Sequence, residues 1–349
     1  MARLLASLSR SRVDVFLCAG MTNIRYLTGF TGSDGVLLAS AADGAVFVTD
    51  GRYAEQARGE VRDAEVVVSD RKWAEAARRL GRSRRIGFES RHLTVETYRL
   101  LARGREGRWT AMGDPVETLR MTKDAGEVRA MEGAAAAAAG ALLAVLAEGI
   151  RGRAETEVAA DLERGMKRAG AEDVSFRAIV ASGARASLPH AVPGRGVIGR
   201  DDGVVIDFGA RRQGYCSDET VTLLPARPAA ALRRMFDAVR RAQEAGLRAI
   251  RPGVPCRDVD ARVRESLDRA GYLKYFVHST GHGVGLDIHE RPSLSPRSKD
   301  RLGEGMIVTV EPGVYVPGAG GVRIEDTVRV GPARAERITY LPKQSLTAA

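Results

Sequence analysis

Short runs of apolar residues punctuate the first third of the chain. Val13-Asp14-Val15-Phe16-Leu17, Gly35-Val36-Leu37-Leu38, Ala45-Val46-Phe47-Val48-Thr49, Glu65-Val66-Val67-Val68 and Arg85-Ile86-Gly87-Phe88 are rich in Val, Leu and Phe. Runs of this length and composition predict strands. Stretches of helical spacing separate them, one from about residue 52 to 61 and others after Val68 and after Phe88. Strand and helix in alternation predict an α/β domain with a mixed sheet. It closes near Trp109-Thr110-Ala111-Met112.

The pattern changes after Leu119-Arg120-Met121-Thr122-Lys123. Asp124 with Glu127 three residues on has the form of a capping box and opens a long alanine-rich helix that ends near Gly149. A second helix is predicted from about residue 155 to 168, with Val158, Leu162 and Met166 on one face and Gly170 at its end. Strands carrying Asp207 and Asp218 follow. The scheme recurs: helices from about 229 to 250 and 257 to 269, stopping at Pro252-Gly253 and Gly271, then strands carrying His282, Glu311 and Glu325. Two helices followed by acidic strands, twice over, predict an internal pseudo-repeat with a site between its halves. The expected domains are 1–120 and 123–345.

Composition narrows the class without naming a function. A hydrophobic share of 44% and a charged share of 28% describe an ordinary globular chain. No apolar run reaches the roughly 18 residues of a spanning helix, the alanine run Gly133–Ala147 being too short, so no membrane span is expected. The N-terminus, with Arg10 and Arg12 close behind it, lacks the apolar core of a signal peptide, which makes the cytoplasm the expected compartment. The net charge of +10 is an arginine excess, since only six of the 54 basic residues are Lys. The densest cluster, Arg78, Arg79, Arg82, Arg84 and Arg85, falls at a predicted helix end, where cations are favourable. No aromatic-interleaved basic motif accompanies it, so no nucleic-acid partner is expected. Three cysteines, Cys18, Cys216 and Cys256, are far apart and odd in number, as in a reducing compartment. Cys216, two residues before Asp218, is expected to fill space beside the site.

The informative charges are those in apolar strands. Asp207 interrupts Val204-Val205-Ile206-Asp207-Phe208, and Glu311 interrupts Ile307-Val308-Thr309-Val310-Glu311. A buried carboxylate costs several kcal/mol unless compensated. With a turn centred on Arg212-Gln213, Asp207 and Asp218 would lie directly opposite, about 5 Å apart at Cβ. Glu311 and Glu325 flank the turn residues Pro317-Gly318-Ala319-Gly320-Gly321, so a second hairpin brings two more carboxylates together. Arg323 shares the face of Glu325 and is placed to orient a carboxylate or a substrate oxygen. Four of the five histidines fall between residues 190 and 289, and His92 is read as surface. His282 sits in Thr280-Gly281-His282-Gly283-Val284-Gly285, whose glycines exclude a helical zinc motif and permit close backbone approach to something bound. Four carboxylates and one imidazole suit two divalent cations, Mn²⁺ first, with Co²⁺, Fe²⁺ or Zn²⁺ as alternatives. Two such ions would activate a water and polarise a carbonyl, which makes metal-assisted hydrolysis the expected reaction.

These segments resemble the pita-bread metallopeptidases, the group of aminopeptidase P, prolidase and methionine aminopeptidase. The matching stretches are Val204–Ala210 with Cys216-Ser217-Asp218, His278–Leu286 with His289-Glu290, Glu311-Pro312-Gly313, and Val322-Arg323-Ile324-Glu325-Asp326. The likeness covers about Lys123 to Pro342. It implies an N-terminal creatinase-like α/β domain and a C-terminal pita-bread domain with pseudo-twofold symmetry. By that resemblance Asp207, Asp218, His282, Glu311 and Glu325 bind two metals, with Asp218 and Glu325 bridging. Glu311 shuttles a proton, His190 and His289 stabilise the tetrahedral intermediate, and His278 and Arg323 hold the substrate. Relatives often carry an arginine after the threonine that matches Thr220, where this chain has Val221. Asn23-Ile24-Arg25-Tyr26-Leu27-Thr28-Gly29-Phe30-Thr31-Gly32-Ser33 and Thr49-Asp50-Gly51-Arg52-Tyr53 resemble the proline-specific branch, aminopeptidase P more than prolidase. The resemblance thus implies a metallo-aminopeptidase of the Xaa-Pro aminopeptidase type, which hydrolyses the Xaa-Pro bond at the N-terminus of proline-containing peptides, with an Xaa-Pro dipeptidase as the alternative. It also implies a homodimer. Non-catalytic relatives of the same fold, and creatinase, have lost ligands that are all present here.

Overall fold

The apolar runs of the first third pair into one sheet. In the computed structural model, which describes residues 1–8, 10–11, 13–81, 85–104 and 109–343, the chain divides into two units, Met1–Arg120 and Met121–Ala349. Arg12, Arg82 and Arg84, and the last two residues of the expected second domain, lie outside the described residues.

The first unit has strands β1 (Val15–Cys18), β2 (Val36–Ser40), β3 (Gly44–Thr49), β4 (Glu65–Val68), β5 (Ile86–Glu89) and β6 (Trp109–Met112). Their order is β4-β3-β2-β1-β5-β6. β1, β2 and β3 are antiparallel neighbours and the other pairs are parallel, so the sheet is mixed. Helices α1 (Ala2–Leu8), α2 (Met21–Thr28), α3 (Ala54–Glu60), α4 (Lys72–Leu80), α5 (Val95–Ala102) and α6 (Pro115–Arg120) complete it. The sequence pattern gave no notice of α1 or α2. The start of α2 has no side-chain cap of its own. Its cap comes from β5, where a Glu89 carboxylate oxygen accepts the N–H groups of Ala19 and Gly20, each at 2.7 Å. His92 is exposed, as expected, and faces Glu117 at 3.2 Å.

The second unit opens with α7 (Ala125–Glu148) and α8 (Glu155–Arg168). The expected capping box is present: Asp124 accepts from the Gly126 and Glu127 N–H groups at 2.7 and 2.9 Å, and Glu127 accepts from the Asp124 N–H. α7 runs beyond the alanine stretch to 24 residues, long and apolar enough by composition to cross a membrane. Here that apolarity serves a core: ten of its residues are buried. The two helices approach closely at Gly165, where an added Cβ would sit 2.9 Å from that of Ala141.

Then follow β7 (Asp173–Val174), β8 (Ile179–Ser182), β9 (Val204–Phe208), β10 (Ala210–Arg212), β11 (Tyr215–Cys216) and β12 (Glu219–Leu223). After α9 (Ala230–Ala249) and α10 (Cys256–Arg269) come β13 (Gly281–Gly283), β14 (Glu290–Leu294), β15 (Ile307–Val310), β16 (Gly313–Val316), β17 (Gly320–Arg323), β18 (Asp326–Val330) and β19 (Ala335–Arg337). The two halves repeat in detail. β9 lies between β8 and β12, and β15 lies between β13 and β18. The residues that precede α8 and α10, Ala154 and Pro255, each form an isolated bridge to a later loop, at Val197 and Arg301. Each half also places one carboxylate on or just after its middle strand (Asp207 in β9, Glu311 after β15). A second carboxylate stands immediately before the next strand (Asp218 before β12, Glu325 before β18).

Candidate metal centre and active site

Hairpin register decides where the carboxylates point. Glu311 and Glu325 are opposite, as expected: β16 pairs with β17 as Gly313↔Arg323, and β15 with β18 as Val310↔Asp326, one continuous register with the two acids at the seam. The first hairpin differs from expectation. Its turn is Gln213-Gly214, both at positive φ (51° and 82°), so Arg212 faces Tyr215 and the register moves by one residue on each strand. Asp207 is therefore opposite Thr220, and Asp218 is its diagonal neighbour on the same face. The turn chemistry explains the difference: a two-residue hairpin turn takes its left-handed residues at both central positions. A sharp approach of the strands beside Asp218 requires Gly209, because a Cβ there would lie 2.0 Å from the Ser217 carbonyl oxygen. The outcome still brings carboxylate oxygens of Asp207, Asp218 and Glu325 within 4.8 Å of one another.

His282 completes the group from β13. Its Nδ1 lies 3.0 Å from the Gly283 carbonyl oxygen. A carbonyl can only accept, so Nδ1 carries a proton, and Nε2, turned to the site, can hold a second proton toward Glu311 or give it up and present a lone pair to a cation. That Nε2 is 3.3 Å from Glu311 and 3.6 Å from Asp218. The glycines around His282 permit close approach of the neighbouring strand: a Cβ on Gly281 would meet the Thr309 carbonyl oxygen at 2.0 Å. Cys216 stays outside the group and is buried with Met131, Val284 and Ile307.

Electrostatics show what the protein leaves unbalanced. Burial, then the carboxylates of Glu325, Asp207 and Glu311, push the Asp218 carboxyl well above its usual range. Burial, then Glu311 and Asp207, do the same to Glu325. Burial raises Asp207 too, against the pull of Arg323. Burial would also raise Glu311, but the His282 contact outweighs it and holds Glu311 below its usual range, while His282 is raised in turn. Asp207 Oδ1 and Glu325 Oε1 are buried and have no hydrogen-bond partner among the described residues. Repelling acids with orphaned oxygens fit cations of a size to bridge them. These carboxylates and His282 could hold two metal ions.

Around the group lies a cavity of about 570 Å³. His190, His278 and His289 line it with Arg177 and Arg323, and its other walls include Phe176, Ile179, Val192 and Ile288. His289 packs edge-on against His282, ring centres 4.4 Å apart. Burial lowers the pKa of both His278 and His289, so each is neutral near pH 7. Arg323 is buried and ion-paired to Asp207. Its other donors reach the Pro189 carbonyl, the Tyr315 hydroxyl and Thr220 Oγ1 at 3.0, 2.8 and 3.2 Å. Tyr315 passes the chain on to His278 Nε2 at 3.0 Å, and His278 Nδ1 ends it on the Ser279 carbonyl at 2.8 Å.

Several positioning residues escaped the sequence reading. Thr220 donates to Glu325 at 2.7 Å, and Tyr315 links Arg323 to His278. The fully buried Glu155 accepts from Ser182, Arg185 and Gly194, tying both ends of the loop that carries His190. An acid near a helix N-terminus is the only signal that marked it.

The chain is similar to known proteins along nearly its whole length. Residues 129–332 match the model of metallopeptidase family M24, and residues 1–122 match the creatinase/prolidase N-terminal domain. The uncharacterised peptidase YqhT of Bacillus subtilis is 40% identical over 95% of each chain. Among solved structures, an Xaa-Pro dipeptidase from Bacillus anthracis superposes with a TM-score of 0.95 at 39% identity, over 99% of this chain and 98% of that one. An X-Pro aminopeptidase from Thermotoga maritima superposes with a TM-score of 0.90 at 34% identity, over 99% of both chains.

Proposed function

The chain belongs to metallopeptidase family M24, with a creatinase/prolidase N-terminal domain before its pita-bread domain, and from that premise we propose that it is a dinuclear metal-dependent peptidase that hydrolyses the Xaa-Pro bond. One observation carries the reading: four carboxylates, Asp218 and Glu325 buried and Asp207 and Glu311 half-buried, converge with His282 and have too little cationic charge from the protein to balance them. Asp207, Asp218, His282, Glu311 and Glu325 are the residues that would hold two ions, Mn²⁺ before Co²⁺, Fe²⁺ or Zn²⁺ because oxygen donors dominate. When bound, such ions acidify a water and polarise the scissile carbonyl.

The chain's own residues do the rest. Glu311, ionised at neutral pH beside His282, accepts the proton of the attacking water and returns it to the leaving nitrogen of proline. His190 and His289 line the cavity, where their ring N–H groups would donate to the developing oxyanion. Arg323 fixes the Asp207 carboxylate and, through Tyr315, the ring of His278, so these two residues shape the seat of the substrate. The apolar wall suits a pyrrolidine ring.

Two substrate lengths compete. The Bacillus anthracis structure carries the name of a dipeptidase, and its higher similarity favours Xaa-Pro dipeptides. The N-terminal motifs and the Thermotoga maritima structure, named an X-Pro aminopeptidase, favour longer peptides. Assay of the Mn²⁺-loaded protein on Ala-Pro and Ala-Pro-Ala, with Ala-Ala as control, tests the reading. Cleavage before proline is expected; cleavage of Ala-Ala alone, or of nothing under any of the four metals, would sink it. A homodimer, expected by analogy, is read by light scattering.

A further inference from the structure

Two arginines line the cavity, and they differ in what they hold. Arg323 is buried and all its nitrogens are engaged. Arg177 is exposed and makes no hydrogen bond or ion pair among the described residues. Its place follows from a backbone irregularity. Ile179 pairs with Asp207, while the Ser175 N–H donates to the Gly209 carbonyl at 2.8 Å. Four residues on one side thus span two on the other, and Phe176-Arg177-Ala178 bulge out of the ladder. A bulge beside a site re-aims side chains, and all three bulged residues line the cavity.

The bulge stands about two strand residues, roughly 7 Å, from Asp207. The carboxylate carbon of an Xaa-Pro dipeptide lies at most about 4 Å from its scissile carbon, and the long arginine side chain spans the difference. A dipeptide brings that charge into a cavity whose floor is already acidic. Without a cation it would lose its water for nothing, whereas a guanidinium offers a bidentate partner. We propose that Arg177 pairs with a free carboxylate on the leaving side of the scissile bond, the C-terminus of an Xaa-Pro dipeptide, and so sets the length of peptide preferred.

The inference rests on the Xaa-Pro reading, and its test keeps the two apart. KM is measured for Ala-Pro and Ala-Pro-amide on the Mn²⁺-loaded wild type, Arg177→Ala and Arg177→Lys. Binding of the same pair to the Glu311→Gln protein, with and without Arg177→Ala, is measured by calorimetry, which needs no turnover. The acid should be preferred over the amide by about tenfold to a hundredfold. Arg177→Ala should collapse that ratio toward one, and Arg177→Lys should restore part of it. Each ratio is taken within one protein, so a folding defect does not imitate the effect. A ratio near one in the wild type, or one unchanged in Arg177→Ala, would overturn the proposal. Ala-Pro-Asp-amide against Ala-Pro-Asn-amide separates the other source: an Arg177-dependent preference there alone keeps the carboxylate and assigns it to a third residue's side chain. Intact binding preference with no hydrolysis of any substrate would defeat the peptidase reading and leave this one standing.

Discussion

Two strand starts in the second unit send carboxylates to opposite sides. Asp218 and Glu325 face the cavity, and their chain neighbours Glu219 and Asp326 face the other way, all four buried. On the back face the protein supplies the partners. Lys343 contacts Glu219 and lies 3.6 Å from Asp326, which also accepts from Gln243 and Thr339 at 2.7 and 2.8 Å. On the front, Arg323 reaches Asp207, His282 reaches Glu311 and Asp218, and two carboxylate oxygens remain orphaned. Identical chemistry one residue apart is thus balanced on the back face by Lys343 and Arg337, with Glu219 Oε2 still lacking a hydrogen-bond partner among the described residues, whereas on the open front face four carboxylates face one arginine and one histidine. The shortfall of positive charge on the open face suits it to hold cations.

Breaking the open face should have the largest effect. Asp218→Asn or Glu325→Gln should lower kcat on the order of a thousandfold, the scale of several kcal/mol of metal-supplied stabilisation, with loss of bound metal on elemental analysis. The same changes should raise the melting temperature of chelator-treated protein by a few degrees, because they remove mutual repulsion. Breaking the closed face should do the reverse. Lys343→Met leaves Glu219 buried and unpaired, at a cost of about 3 kcal/mol. A fall in Tm of roughly 10 °C, with metal stoichiometry retained, would separate the faces; equal metal loss would join them.

Much of this contrast was readable in the sequence, and its limits are physical. Among the five candidate donors, Asp207 and Glu311 stood out because they interrupt apolar strands, Asp218 and Glu325 because hairpins pair them with the first two, and His282 because of its glycine-flanked segment; the Glu311–Glu325 register followed from the turn between them. The Asp207–Asp218 pairing was misplaced because the pivot depends on which residues adopt positive φ, here Gln213 and Gly214. Partners contributed over long range left no local mark. Lys343 has the sequence context of a solvated tail residue, and Tyr315 that of a core aromatic. α2 was missed because its cap, Glu89, lies about 70 residues away.

pH sharpens the contrast further. The folded-state pKa values of Asp218 and Glu325 are raised above those of the unfolded chain. Their contribution to metal-free stability is therefore present below the ordinary carboxylate range and lost as pH rises through the raised values. Thermal melts in chelator should show Tm falling from pH 5 to pH 8, and the gain on adding Mn²⁺ should be larger at pH 8, where no protons compete. A gain larger at pH 5 would contradict this. The smallest effect is expected at the periphery: Tyr315→Phe breaks the Arg323–Tyr315–His278 chain and should reduce kcat/KM about tenfold, the scale of one hydrogen bond to a charged group, with Tm little changed.

An open face completed by two cations takes up both from solution. Calorimetric titration of chelator-stripped protein with Mn²⁺, checked by elemental analysis, measures this directly. Two ions per chain in the wild type, and fewer in Asp218→Asn, is the predicted result. A wild-type protein that binds one ion or none, and is no more stable with Mn²⁺ than without it, would contradict the account.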